Sequence, residues 1–423
     1  MFMSSTKLSQ LAETMIGSEI VGLGAEIREK IKQGNKIYNY TIGDFDSSIF
    51  PIPAALEKEI IEAYKLRYTN YPAADGISEL REAVSKFNAD RLGIDYAINE
   101  ILIAAGGRPL IYAAFRSIVD KGDKVIYAVP GWNNNHYVHF NEGDHVVIES
   151  RQENNFMPTA AEIRPHIKGA TLLALCSPLN PTGTSFSKEE LEAICDLVLE
   201  ENEQRTGSDK KLYLLYDQIY WTLTFGNTVH YNPVHLRPAM KAYTVYIDGI
   251  SKAFAATGVR VGWALGPADL INKMKALNSH IGSWAPMAEQ KAVSNYLLKT
   301  DDIDHYFIKF KEGIDQRLQK IYAGFQKLKE AGFPLDVIAP QAAIYLTIRV
   351  NLVGKKTTAG KVLQNQADVT AYLLDEAKLA VVPFYVFGTD RSNSWYRLSV
   401  GTCKMEEIDE MLGILENALL KLS

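Results

Sequence analysis

Three cysteines, Cys176, Cys195 and Cys403, are all that this chain of 423 residues contains, too few and too scattered for a disulfide framework or a CxxC metal site. The eight histidines include no HExxH, the pattern that sets two metal ligands and a base on one helix face. Neither sign of charge dominates. Lys and Arg number 45 against 50 Asp and Glu, a net of −5, which speaks against nucleic-acid binding through bulk positive charge. No apolar run approaches the roughly 18 residues of a membrane span. The N-terminus lacks the charged, apolar and small-residue succession of a secretion signal. These absences set the expectation of a soluble, cytoplasmic, reduced protein with no metal, nucleic-acid or membrane partner.

What is present is ordinary in amount, 47% apolar and 22% charged residues, enough for a large core. The length suggests two or more domains. An amphipathic stretch over 8–32 stops at Gln33-Gly34-Asn35, and a short apolar run over 37–42 halts at Gly43. Helical patterns over 79–92, 110–119 and 188–200 then alternate with apolar runs of five or six residues at 101–105, 124–129, 171–175, 212–216 and 243–247. Runs apolar almost throughout and separated by helices predict a parallel sheet covered on both faces, whose strand exits gather the chemistry. A long charged helical stretch over 302–329 leads to strand-like runs at 342–350, 380–382 and 395–400 and a closing amphipathic helix over 405–422.

Three glycine-bearing motifs are decoys. Gly22-Leu23-Gly24-Ala25-Glu26-Ile27 has Ile27 where a dinucleotide loop needs its third Gly or Ala, and no strand precedes it, so a nicotinamide-dependent dehydrogenase has no fingerprint here. Gly249-Ile250-Ser251-Lys252-Ala253 lacks the second glycine of a nucleophile elbow. Gly354-Lys355-Lys356-Thr357 lacks the upstream glycine of a P-loop.

The informative pieces sit at strand exits. Gly106-Gly107-Arg108-Pro109 follows a strand and opens a helix, where backbone amides favour an anion, although a plain tight turn reads the same way. Pro130-Gly131-Trp132 puts an aromatic at the next exit, ahead of the polar Asn133-Asn134-Asn135-His136. Ser177-Pro178-Leu179-Asn180-Pro181-Thr182-Gly183 is by composition a proline-bracketed turn. Asp217 ends an apolar strand as a helix N-cap often does, with Gln218 and Tyr220 following. Lys252 stands at the last exit before Gly258 and Arg260, and Arg397 interrupts the strand-like Trp395-Tyr396-Arg397-Leu398-Ser399, where a structural ion pair is the blander reading.

In order and spacing these pieces resemble the class I/II aminotransferases, fold-type I enzymes of the aspartate-aminotransferase kind that use pyridoxal phosphate, from about Gly43 to Arg397. The resemblance implies an α/β fold with a large, mostly parallel seven-stranded sheet domain over 50–305 and a smaller α+β domain from 1–49 and 306–423. It matches Lys252 to the Schiff-base lysine, Asp217 to the partner of the pyridinium nitrogen, and Asn180 and Tyr220 to the groups on the phenolic oxygen. Trp132 matches the aromatic that stacks on the ring; Gly106, Gly107, Arg108 and Arg260 match the phosphate cup. Relatives often carry Ser three residues before the lysine; that position is Gly249 here, which leaves Ser251 or backbone to complete the cup. Gln218 likewise departs from the usual Asp-Glu. Arg397, with Asn180 and the backbone of Gly43, would hold the substrate α-carboxylate, and Tyr71 would reach the phosphate of a neighbouring subunit in a homodimer. The activity implied is ping-pong transamination between an L-amino acid and a 2-oxo acid, with a C–S lyase or other elimination enzyme of the same fold as the alternative. Asn133, Asn134, His136, Ile20 and Arg391 are candidates for reading the substrate side chain, and Asn135 or His136 for supporting Asp217.

Overall fold

A computed structural model describes residues 8–17 and 19–423. Seven strands form the large sheet: β1 (Ile101–Ala104), β2 (Lys124–Val129), β3 (Asp144–Glu149), β4 (Ala170–Cys176), β5 (Tyr213–Asp217), β6 (Thr244–Gly249) and β7 (Gly262–Leu265). Their spatial order is β1-β7-β6-β5-β4-β2-β3. Every pair is parallel except the two that β7 makes, with β6 and with β1. Side chains alternate between the two faces as strand geometry requires. Leu173, Leu175, Leu214, Tyr216 and Tyr246 enter one core, and Leu172, Ala174, Leu215, Val245 and Ile247 the other.

A third core gathers around the helix Thr300–Glu330. Its Phe310, Ile314, Leu318, Ile321, Phe325 and Leu328 recur at helical spacing and pack on a four-stranded sheet. That sheet contains β8 (Leu335–Val337), β9 (Tyr345–Val350), β10 (Val382–Pro383) and β11 (Trp395–Ser399), in the order β10-β11-β9-β8. Beside it, Tyr38–Asn39 pairs in parallel with Leu379–Ala380 and brings the N-terminal region onto the C-terminal one.

The structure departs from the sequence expectation where burial is thin or glycine intervenes. The stretch over 8–32 is two helices, Gln10–Thr14 and Glu19–Lys32, with Met15 extended after the first. The strand expected over 342–350 begins only at Tyr345, after Ala343 turns the chain at φ 60°. The unforeseen strands are β3, an edge strand in which Ile148 alone is buried, the glycine-led β7 and the short β8. The helices Ala54–Lys65, Ala268–Ile281 and Met287–Leu297 were also not anticipated. Among the described residues no helix is long and apolar enough to cross a membrane.

Glycines let β7 lie between β1 and β6. A Cβ built on Gly262 would come within 2.7 Å of the Gly106 backbone, and one on Gly249 within 2.8 Å of the Gly262 Cα. Since only backbone surrounds these positions, a methyl group cannot be relieved by a rotamer change. Gly262→Ala is therefore expected to destabilise the fold by about 1–3 kcal/mol, read as a lower denaturant midpoint with an unchanged slope.

Candidate active site

The parallel strands β2, β4, β5 and β6 share a carboxyl end, and a cavity of about 630 Å³ opens there against the smaller sheet. Trp132, Asn180, Asp217, Tyr220, Ser251, Lys252, Arg260 and Arg397 all line it, with Gly43, Gly107 and Arg108. Trp132, Asn180, Asp217 and Lys252 meet because the strands that carry or precede them end on the same edge, while Arg260 enters just ahead of β7 and Arg397 comes from β11 of the smaller sheet.

One wall suits an anion. Gly106 adopts φ 86° and hands the chain to Gly107, which opens the helix Gly107–Ile118. A Cβ on Gly106 would fall 2.3 Å from Arg260 Nη2, so glycine makes room for the guanidinium itself. Arg260 donates to the carbonyl oxygens of Ala105 and Thr257, each at 2.7 Å. Ser251 lines the same wall with Arg108, while the Thr257 hydroxyl donates to Asp44 Oδ1 at 2.7 Å. Two guanidiniums, a hydroxyl and a helix N-terminus form a donor set suited to a phosphate. Gly249 cannot lend a serine to it, because its Cβ position is occupied by the backbone of Val261 and Gly262.

The floor holds one carboxylate. Asp217 ends β5 and lies in register with Cys176 of β4. Its Oδ1 accepts the Ile219 N–H at 3.1 Å. Burial pushes its pKa up from 3.8 to about 6, against that one hydrogen bond. A cationic ring nitrogen beside it would relieve this penalty. Opposite, the hydroxyls of Tyr220 and Tyr345 meet at 2.6 Å, and Asn180 Oδ1 accepts from Arg397 Nη1 at 3.0 Å, leaving its amide N–H groups for another partner.

Arg397 is 2% exposed, donates through Nη2 to the Thr41 carbonyl at 2.7 Å, and has no partner for Nε among the described residues. Its guanidinium lies 4.7 Å from the Tyr345 ring centroid and 5.0 Å from that of Phe387. Lys252 Nζ donates to the Gly43 carbonyl at 2.6 Å. Burial pulls its amine down from 10.5 to about 8; Asp44 opposes this, while Arg397, Arg108 and Arg260 add to it. Trp132 forms a further wall, with the Arg108 guanidinium 5.4 Å from its ring centroid.

Tyr71 stands apart. It is 84% exposed, edge-on to Trp284 at 5.3 Å, and does not line the cavity of its own chain. Of the side-chain-reading candidates only Asn134 lines the cavity; Arg391 pairs with Glu19 at the surface. The Ile20 side chain lies outside the described residues. Tyr137, rather than Asn135 or His136, lines the cavity near Asp217. Sequence reasoning also passed over Tyr345, Asp44, Thr257 and Arg28. Arg28 and Gly24 share one face of the helix Glu19–Lys32, so the glycine pattern set aside as a decoy does line the site. Helical spacing was the signal available for that.

A family model described as aminotransferase class I and II matches residues 36–415. The chain belongs to the class I and II aminotransferases. An aspartate aminotransferase of Bacillus sp. (strain YM-2) is 30% identical over 399 residues, covering 93% of this chain and 95% of that protein. A probable aspartate/prephenate aminotransferase of Rickettsia felis is 31% identical over 374 residues, 87% of this chain and 86% of the relative. The crystal structure of the aspartate aminotransferase from Rhizobium meliloti superposes with a TM-score of 0.89 at 28% identity, over 99% of this chain and 100% of that one. The expected α/β, fold-type I architecture is thus borne out, and the protein is a transaminase acting between amino acids and 2-oxo acids. The family is generally dependent on pyridoxal phosphate, and none of these relatives favours a lyase.

The Asp217 shift has a measurable sign. Between about pH 3.8 and 6 the folded, cofactor-free chain retains a proton that the unfolded chain has released, so this group lowers stability as pH rises through that window. Asp217→Asn in the cofactor-free protein should gain up to about 3 kcal/mol relative to the parent at pH 7, with the gain vanishing near pH 4 in denaturant unfolding. An equal difference at both pH values would contradict this account.

Proposed function

We propose that the cavity holds pyridoxal phosphate and that Lys252 is the amine that anchors its aldehyde carbon. The observation that carries this reading is Lys252 itself, a buried amine with its pKa brought to about 8, in one cavity with an anion cradle and the buried carboxyl group of Asp217. Gly106, Gly107, Arg108, Ser251 and Arg260 would hold the phosphate, Trp132 would cover a ring face, and Asp217 would pair with the ring nitrogen. Asn180 and Tyr220 would donate to the phenolic oxygen. When bound, the cofactor supplies an electron sink for the charge left as a Cα–H bond breaks. Arg397 and Asn180 bind the α-carboxylate of the donor and orient that bond, with the Gly43 backbone closing the same end. Lys252 Nζ, free of charge over a useful fraction of molecules near neutral pH, takes up the Cα proton. Trp132 and the Tyr220–Tyr345 pair keep water from the reacting face.

The proposed division is a cofactor domain over 50–305 and a smaller domain from 1–49 and 306–423. The proposed setting is cytoplasmic. Dicarboxylic donors of the aspartate kind are favoured by the relatives' names and by Arg28, a cavity-lining cation with no ion pair among the described residues. A panel of amino donors with 2-oxoglutarate, scored for glutamate, should rank aspartate first. Lys252→Ala should lower turnover by roughly 10³-fold. Protein that takes up no pyridoxal phosphate defeats the cofactor reading, and pyruvate and ammonia formed without an acceptor would favour the lyase.

A homodimer is the proposed assembly. Tyr64, Leu66 and Tyr71 are 51%, 66% and 84% exposed along one segment, a face that a second copy would cover while Tyr71 enters its phosphate site. The chain should sediment at twice its 47.2 kDa mass, and Tyr71→Phe should weaken retention of the cofactor about fivefold, the worth of one hydrogen bond. A monomer with full activity would exclude a shared site.

A further inference from the structure

Asp248 is wholly buried, lies behind the cavity rather than on its wall, and has no part in the chemistry described above. It closes the apolar run of β6 one residue before Gly249, and Lys252 follows four residues on, in the helical turn Ile250–Ala253. Its two carboxyl oxygens serve different segments. Oδ1 accepts the Gly249 N–H at 2.7 Å, at the start of the lysine turn. Oδ2 accepts the indole N–H of Trp221 at 2.8 Å. Trp221 belongs to the loop that leaves β5 with Asp217 and Tyr220, and its own N–H closes a turn on the Gln218 carbonyl at 2.8 Å. The indole is held edge-on by Phe87 at 5.9 Å.

We propose that Asp248 is a positioning residue that locks the Lys252 turn to the Asp217–Tyr220 loop, fixing where the amine stands relative to the cofactor ring. This rests on the reading of Lys252 as the cofactor-anchoring amine. The two loops leave adjacent strands, and apart from sheet pairing the Asp248–Trp221 bond is a direct side-chain tie between them. A carboxyl group is specifically required. Each oxygen faces an N–H, and an asparagine in its place would accept from one and turn its own N–H2 against the other. The turn or the loop must then move, and sub-ångström placement of the reacting groups sets the rate.

Asp248→Asn tests this in the full-length enzyme reconstituted with pyridoxal phosphate. The variant should take up the cofactor, lose kcat about tenfold with KM within about twofold of the parent, and shift the pH midpoint of the cofactor's visible absorption by about half a unit. Trp221→Phe added to Asp248→Asn removes the opposing N–H and should recover part of kcat and of the midpoint. Parent-like kcat and midpoint in Asp248→Asn overturn the proposal, as does a double variant no better than the single one. Should Asp248→Asn fail to fold, Trp221→Phe alone decides: a shifted midpoint supports the lock, and an unshifted one overturns it. A parent enzyme that takes up no pyridoxal phosphate defeats the cofactor reading and the lock together, so the two failures are distinct.

Discussion

Neutral carbonyl oxygens, not carboxylates, hold the cations of this cavity. Arg260 rests on Ala105 and Thr257, Arg397 on Thr41 and the Asn180 amide oxygen, and Lys252 on Gly43. Withdrawing a charge from water costs several kcal/mol when it stays unpaired, and a carboxylate partner would offset that cost while cancelling the charge. Carbonyl dipoles orient the groups and leave the positive charge available to anions from solution. The aromatic faces of Tyr345 and Phe387 contribute to Arg397 in the same manner. Asp217 complements the arrangement, an acid in the same cavity with no cation paired to it among the described residues.

That distribution depends on where the main chain goes. Carbonyls from segments as distant as Thr41, Ala105 and Thr257 can meet at one place only if the strands that deliver them end together. A parallel sheet supplies this, because every connection returns the chain to the same edge before the next strand. The antiparallel β7 completes the arrangement by bringing Arg260 in just ahead of Gly262, where glycines at 106, 249 and 262 allow the three backbones to touch. From the other side, β11 carries Arg397, and the pairing of Tyr38–Asn39 with Leu379–Ala380 fixes the segment that bears Thr41 and Gly43. Stability of the sheet edge and chemistry of the site thus draw on the same contacts.

Much of this was legible in the amino-acid order. The run 124–129 is β2 residue for residue, since a strand buried on both faces announces itself by unbroken apolar composition. Asn180, Asp217 and Lys252 stand out because each ends or follows such a run closely, whereas Arg260 is singled out by resemblance, eight residues after Lys252. The edge strand β3 was not found, because its apolar run is only Val146-Val147-Ile148, shorter than those of the inner strands, and Ile148 alone is buried. Tyr345 and Tyr137 were missed for a different reason. Tyrosine within an apolar pattern reads as core, and only the three-dimensional fold shows that the hydroxyl of Tyr345 reaches Tyr220 or that Tyr137 comes near Asp217. Tyr71 was singled out only by resemblance, and a single chain gives it no cavity to enter.

The departures from the family pattern make sense within the same geometry. Serine in place of Gly249 would need room that the Gly262 backbone occupies, and Ser251, Arg108 and Arg260 line that side of the cavity instead. Gln218, where relatives carry glutamate, is fully buried and lies beside Asp248 and His230. A glutamate there would place another carboxyl group against Asp248 in a dry interior, where burial already drives the Asp248 carboxyl upward. A neutral amide at 218 and a carboxyl at 248 therefore belong together. Each substitution reads as a minor change in the linear order, and each is the consequence of which neighbour already fills the space or carries the charge.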